Sequence, residues 1–97
     1  MKKDVIQEIW DTIEDRLAHP SDSSYTCKII NHKKGLDKSL EKVGEETTEF
    51  IIAAKNKDPK DIIFEAADLQ FHLMLALKAA GVSFQDVLDE LASRRNK

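Results

Sequence analysis

Apolar positions recur along most of this chain at spacings of three, four and seven, the period of helices that bury one face. Ile6, Ile9, Ile13 and Leu17 form the first such stripe. They predict a helix over about Val5–Leu17, closed by Pro20 and the polar run PSDSS. Ser24 can cap a short second helix through Asn31. After a break at Lys33–Gly35, the positions Leu40, Val43, Thr47, Phe50, Ile51 and Ala54 predict a core-facing stripe on a long third helix, about Asp37–Asn56. Asp58-Pro59 then sets an N-cap before a proline at the first helical position. The fourth helix runs to about Ala80, with Gly81 as its C-cap. Ser83 and Asp86 have the spacing of a capping box, and Val82 can staple onto Val87. A fifth helix follows over about Phe84–Arg95.

No strand-like alternation, internal repeat or low-complexity tract appears, so the predicted fold is all-α, with about five helices. The short connection makes helices 3 and 4 a long antiparallel hairpin within a helical bundle. Helix 4 is apolar on nearly every side: Ile62, Ala66, Leu69, Leu73, Ala76, Leu77 and Ala80 form one stripe, and Phe64, Phe71 and Leu75 lie roughly opposite. Such a helix needs cover from other helices or from a second subunit, so a homodimer is expected to complete the bundle. Residues 1–97 read as one domain, small enough that oligomerisation would help it.

Composition narrows the function classes. A formal charge of −3 gives no basic field for nucleic acid or anionic lipid. The most apolar stretch, residues 62–80, is interrupted by Glu65, Asp68, Gln70, His72 and Lys78, which argues against a membrane span. Cys27 is the single cysteine and no secretion signal precedes it, so a reducing cytoplasmic setting is expected.

The chemistry lies in the acids. EExxE over Glu45–Glu49 and ExxD over Glu65–Asp68 each set carboxylates three residues apart, on one helix face. An antiparallel hairpin can turn Glu46 and Glu49 toward Glu65 and Asp68. Ionised carboxylates in a partly buried seam repel one another and lose hydration. Lys42 and Lys55 would offset part of this, and a divalent cation more; an all-oxygen set favours Mg²⁺ or Mn²⁺ over Zn²⁺. Solvated surface charge is the plainer reading of EKVGEETTE alone, but helix 4 offers Glu65 and Asp68 little solvated face. SSYTCK, residues 23–28, places hydroxyls and Lys28 at a helix start, where a phosphate can bind, although a plain Ser24 cap explains it more simply. By themselves, His72 reads as a hydrogen-bonded core histidine, Arg16 and Lys33-Lys34 as solvated charges, and Cys27 as a buried thiol. Gly44 inside a helix indicates close backbone approach or a tolerated defect.

The runs SYTCKI, KVGEETTEFIIAAKN, FEAADLQFHL and VLDELASRR, in that order, resemble the phosphoribosyl-ATP pyrophosphohydrolase family of histidine biosynthesis, within the all-α MazG-like NTP pyrophosphatase superfamily. The resemblance implies hydrolysis of the α–β phosphoanhydride of 1-(5-phosphoribosyl)-ATP to phosphoribosyl-AMP and pyrophosphate. It implies Mg²⁺ on Glu46, Glu49, Glu65 and Asp68, with Glu45 as a further ligand or water-orienting group. Lys42 and Lys55 would reach the triphosphate, with Ser24, Tyr25, Thr26 and Lys28 nearby; Arg16 and His72 complete the candidate substrate contacts. Phe71 departs from the family's frequent Tyr, which puts a polar role there in doubt. The chain lacks the zinc-ligand cluster of the cyclohydrolase that some members carry as a fusion. A MazG-like house-cleaning pyrophosphatase acting on (d)NTPs shares the acidic motif and stays open. A di-iron carboxylate bundle would need Glu-x-x-His pairs, which are absent. A non-catalytic helical dimerisation module is the remaining alternative.

Overall fold

The computed structural model describes residues 4–96. Five helices follow in order: α1 Val5–Ala18, α2 Tyr25–Ile30, α3 Leu36–Asn56, α4 Pro59–Ala79 and α5 Phe84–Ser93. Each start except that of α3 is capped by a side chain. Asp4 accepts from the Ile6 amide, Ser24 from Cys27, Asp58 from Lys60 and Ser83 from Gln85. The expected capping box at α5 is therefore half made: the Ser83 side chain takes the Gln85 amide, and the Asp86 amide donates to the Ser83 carbonyl at 3.1 Å. Gly81, at φ 77°, ends α4 in a Schellman turn, in which the Val82 amide reaches back to the Leu77 carbonyl at 2.9 Å.

Only Lys57 and Asp58 separate α3 from α4, and Lys57 takes the left-handed conformation, at φ 59°, that lets the chain reverse. So short a link forces the antiparallel hairpin, and α3 with α4 forms the most extensive interface of the chain. The closed core sits at one end of it. Trp10 and Ile13 of α1, Ile29 of α2, Met74 and Leu75 of α4 and Phe84 of α5 are buried together, with Ile6, Ile9, Leu17, Ile30, Phe71, Leu77 and Leu88 packed around them.

The expected core stripe of α3 is corrected by this arrangement. Leu40 and Ile51 are about half exposed and Ala54 is exposed; the buried positions of α3 are Ser39, Glu46 and Ala53. These three lie seven residues apart, one line along the helix, and they form its buried side. Leu40 and Ile51 lie on another face, which the described residues leave about half open, while Val43, Thr47 and Phe50 of the same expected stripe are half-buried. On α4, Ile63 and Phe64 are similarly open, at 70% and 65% exposure. The cause is topological: α1, α2 and α5 pack around the C-terminal half of α4 and leave the hairpin's other half bare. Gly44 faces open space: apart from its own helix, no described residue comes within 4 Å of where a Cβ would stand, so no close approach among them explains it.

Candidate active site

The carboxylates meet where the two hairpin helices face each other. Glu46, on the buried line of α3, lies against Asp68 of α4, and Glu46, Asp68 and His72 each bring a ligand-capable atom within 4.8 Å of the others. A hydrogen bond with Asp68 raises the Glu46 carboxyl to about 7, with burial and the Asp68 charge adding to the effect. Two carboxyls this close share a proton when nothing else neutralises them. Glu65 is half-buried and its pKa is raised, first by burial and then by Glu49, Asp68 and Asp61. Its Oε2 is sealed from solvent and accepts no hydrogen bond. A sealed oxygen without a donor is costly unless a cation or proton joins it.

His72 is buried and fixed at both nitrogens. Nδ1 lies 2.8 Å from the Asp68 carbonyl, which can only accept, so Nδ1 donates there, while Nε2 meets the Tyr25 hydroxyl at 2.7 Å. With both nitrogens engaged, His72 orients Tyr25 rather than offering a ligand, and the remaining donors of the seam are all oxygen. Burial raises the Tyr25 pKa, while Lys42 nearby pulls against that rise. Lys42 lies 2.9 Å from Glu45 and 3.8 Å from Glu46. That bond to Glu45 raises the Lys42 pKa and lowers that of Glu45. One ammonium thus stands at the mouth of the Glu46–Asp68 pair.

The structure brings together Glu46, Asp68, His72, Tyr25 and Lys42, with Glu45 at the rim and Glu49 acting on Glu65 through its charge. Others of the expected set stand apart. Lys55 is exposed in the last turn of α3, about 9 Å along the axis from Glu49. Ser24 is buried, with its hydroxyl 3.2 Å from the Cys27 amide, so the plain cap describes it. Thr26 is buried too, and Lys28 lines a separate cavity with Pro20, Asp22 and Asn31. Arg16 pairs with Asp15 at 3.2 Å and lines a cavity beside Tyr25. Asp61 was not expected at the seam, yet its charge reaches Glu65; the i, i+4 spacing of the two carried that signal.

The profile of the phosphoribosyl-ATP pyrophosphohydrolase family matches residues 6–95. The chain is 56% identical over 91 residues to the phosphoribosyl-ATP pyrophosphatase of Methanoculleus marisnigri, covering 94% of each. It is 57% identical over 91 residues to the phosphoribosyl-ATP pyrophosphatase of Methanosphaerula palustris, covering 94% of this chain and 92% of the relative. It also matches the histidine biosynthesis bifunctional protein HisIE of Thermoanaerobacter pseudethanolicus, at 45% identity over 86 residues, which take in 89% of this chain and 39% of that protein. With a matching profile and near full-length relatives above half identity, the chain belongs to the phosphoribosyl-ATP pyrophosphohydrolase family.

Proposed function

We propose that this protein hydrolyses the α–β phosphoanhydride of 1-(5-phosphoribosyl)-ATP, yielding phosphoribosyl-AMP and pyrophosphate for L-histidine biosynthesis, with Mg²⁺ held in the hairpin seam. The observation that carries the reading is the Glu46–Asp68 contact beside the sealed, partnerless Glu65 Oε2. The donor set fits the ion. Glu46, Glu49, Glu65 and Asp68 are all-oxygen ligands too few to enclose a cation, which leaves room for substrate phosphates; Mn²⁺ has the same preference. When bound, Mg²⁺ supplies charge neutralisation and an electrophilic pull on phosphate oxygens.

The chain's own groups do the rest. Lys42 faces the phosphates as a fixed cation and stabilises the charge that builds on departing pyrophosphate. Glu45 is exposed and kept ionised by Lys42, so it can orient the water that adds across the anhydride. Tyr25, anchored by His72, holds its hydroxyl at the same mouth. An acidic protein binds a polyanion in this way through cations between the two. The proposed setting is the cytoplasm, which lone Cys27 suits.

The homodimer belongs to the same proposal. Leu40 and Ile51 on α3 and Ile63 and Phe64 on α4 leave an apolar face open on the hairpin, and a second copy would cover it. No helix among the described residues is long and apolar enough to cross a membrane. The deciding assay is pyrophosphate release from phosphoribosyl-ATP against ATP and dNTPs, with Mg²⁺ and with EDTA. Selective, EDTA-sensitive release from phosphoribosyl-ATP is expected. Faster release from dUTP or dCTP would favour a house-cleaning enzyme instead.

A further inference from the structure

A cavity of about 360 Å³ opens between α1 and α2, and it lies next to the seam without belonging to it. Resting on the phosphoribosyl-ATP reading, we propose that this cavity seats the adenine ring of the substrate, so that α1 and α2 recognise the base while the hairpin handles the phosphates.

Its lining has the polarity of a purine. Ile9, Ile13 and Phe71 supply apolar surface, and Thr12, Arg16 and Tyr25 bring polar atoms to it. A purine likewise has apolar faces and a hydrogen-bonding edge, and a site of this size is within the usual small-molecule range of about 300–1,000 Å³. Arg16 offers only donors, which suit the ring nitrogens of adenine; its partner Asp15 is an exposed neighbour and a weak competitor.

Continuity with the seam singles this cavity out. Tyr25 belongs to both: its ring stands 6.5 Å from that of Phe71, and its hydroxyl reaches His72 at 2.7 Å. A nucleotide with its base against Phe71 would run its phosphate chain past Tyr25 to Lys42 and the carboxylates. The cavity lined by Lys28 and those lined by Trp10 share no residue with the seam. The reading also gives Phe71 a use that needs no hydroxyl, since a ring face suffices to pack against a base.

Thr12→Trp tests this, because Thr12 is exposed on α1 and its replacement fills the cavity without entering the core. The expected result is a KM for phosphoribosyl-ATP raised about tenfold or more, with little change in kcat. The inhibition constant of AMP, which has the base but no phosphoribosyl arm, should rise in parallel, while that of pyrophosphate stays put. An unchanged KM overturns the proposal. So does a raised KM with unchanged AMP inhibition, which would place the phosphoribosyl arm in the cavity. A second readout needs no variant: in methyl NMR spectra of the wild type, saturating AMP should shift Ile9 and Ile13 and spare Ile51 and Ile63. Shifts that leave Ile9 and Ile13 in place overturn it as well. Wild-type protein inert toward phosphoribosyl-ATP would sink the activity itself, whereas an active wild type with an indifferent Thr12→Trp sinks only the cavity.

Discussion

The two halves of the α3–α4 hairpin treat similar residues in opposite ways. Toward the C-terminal end of α4, Met74 and Leu75 have no exposure at all, enclosed by α1, α2 and α5. Toward its N-terminal end, Ile63 and Phe64 stand mostly in the open beside Ile51 and Ile52 of α3. Large apolar residues occur in both halves, and attachment decides which of them are buried. Three helices pack around one half, none among the described residues covers the other, and the acidic seam runs between them. A hydrophobic period states that a face must be buried, and leaves unstated what buries it.

The largest effect should come from breaking the closed half. Leu75→Ala should cost about 2–5 kcal/mol, a large fraction of the stability of a domain this size. The same truncation at Ile63 should cost well under about 1 kcal/mol in the dissociated chain, since little area is removed from cover. Urea unfolding of both variants measures the contrast, and equal losses would erase the distinction between the halves.

At the seam, Asp68→Asn keeps the shape of the side chain and removes its charge. Turnover at limiting Mg²⁺ should fall by more than about 100-fold, beyond the usual cost of losing an outer-shell partner. The fold should survive, as circular dichroism would show. Undiminished pyrophosphate release would remove Asp68 from the ligand set.

Phe64→Asp probes the open half by setting a charge on the proposed dimer face. Its dimer dissociation constant should rise at least about tenfold by sedimentation velocity, with monomer helicity intact. A wild type that is already monomeric at micromolar concentration would contradict the dimer outright. The smallest effect is a gain: metal-free Asp68→Asn at pH 8 should melt slightly above the wild type, by up to about 1 kcal/mol in stability, because one repelling carboxylate is gone.

Element boundaries were legible because local chemistry sets them. Ser24, Asp58-Pro59, Gly81 and Ser83 fix helix ends through their own caps and dihedral angles, and the structure departs by a residue or two at most. The Glu46–Asp68 meeting was legible as well, since hairpin topology follows from a short link. What the chain did not reveal is the partner of each face. Ser39 and Ala53, rather than Leu40 and Ile51, form the buried line of α3, because a close helix pair takes small residues and leaves larger ones for another neighbour. The role of His72 depends on Tyr25, 47 residues away in sequence, and no local spacing encodes that bond. Lys55 shows the converse, a cation near the motif in sequence and remote from the seam in space.

Whether the seam exists to hold a cation is settled by thermal unfolding between about pH 4.5 and 8, in EDTA and in millimolar Mg²⁺. Glu46 is raised to about 7 by its bond to Asp68, and Glu65 is raised by burial, so at these two seam groups the folded metal-free protein binds more protons than the unfolded chain. The stability those protons confer is complete below the ordinary glutamate range and is lost as pH rises through about 7. Mg²⁺ binds the deprotonated seam, so its stabilisation grows over the same interval. The melting temperature in EDTA should fall as pH rises, while that in Mg²⁺ stays level or climbs, and the two curves should part steadily above about pH 5. Parallel curves would mean that these carboxylates are not a coupled metal site, and that the crowding beside the hairpin is surface charge alone.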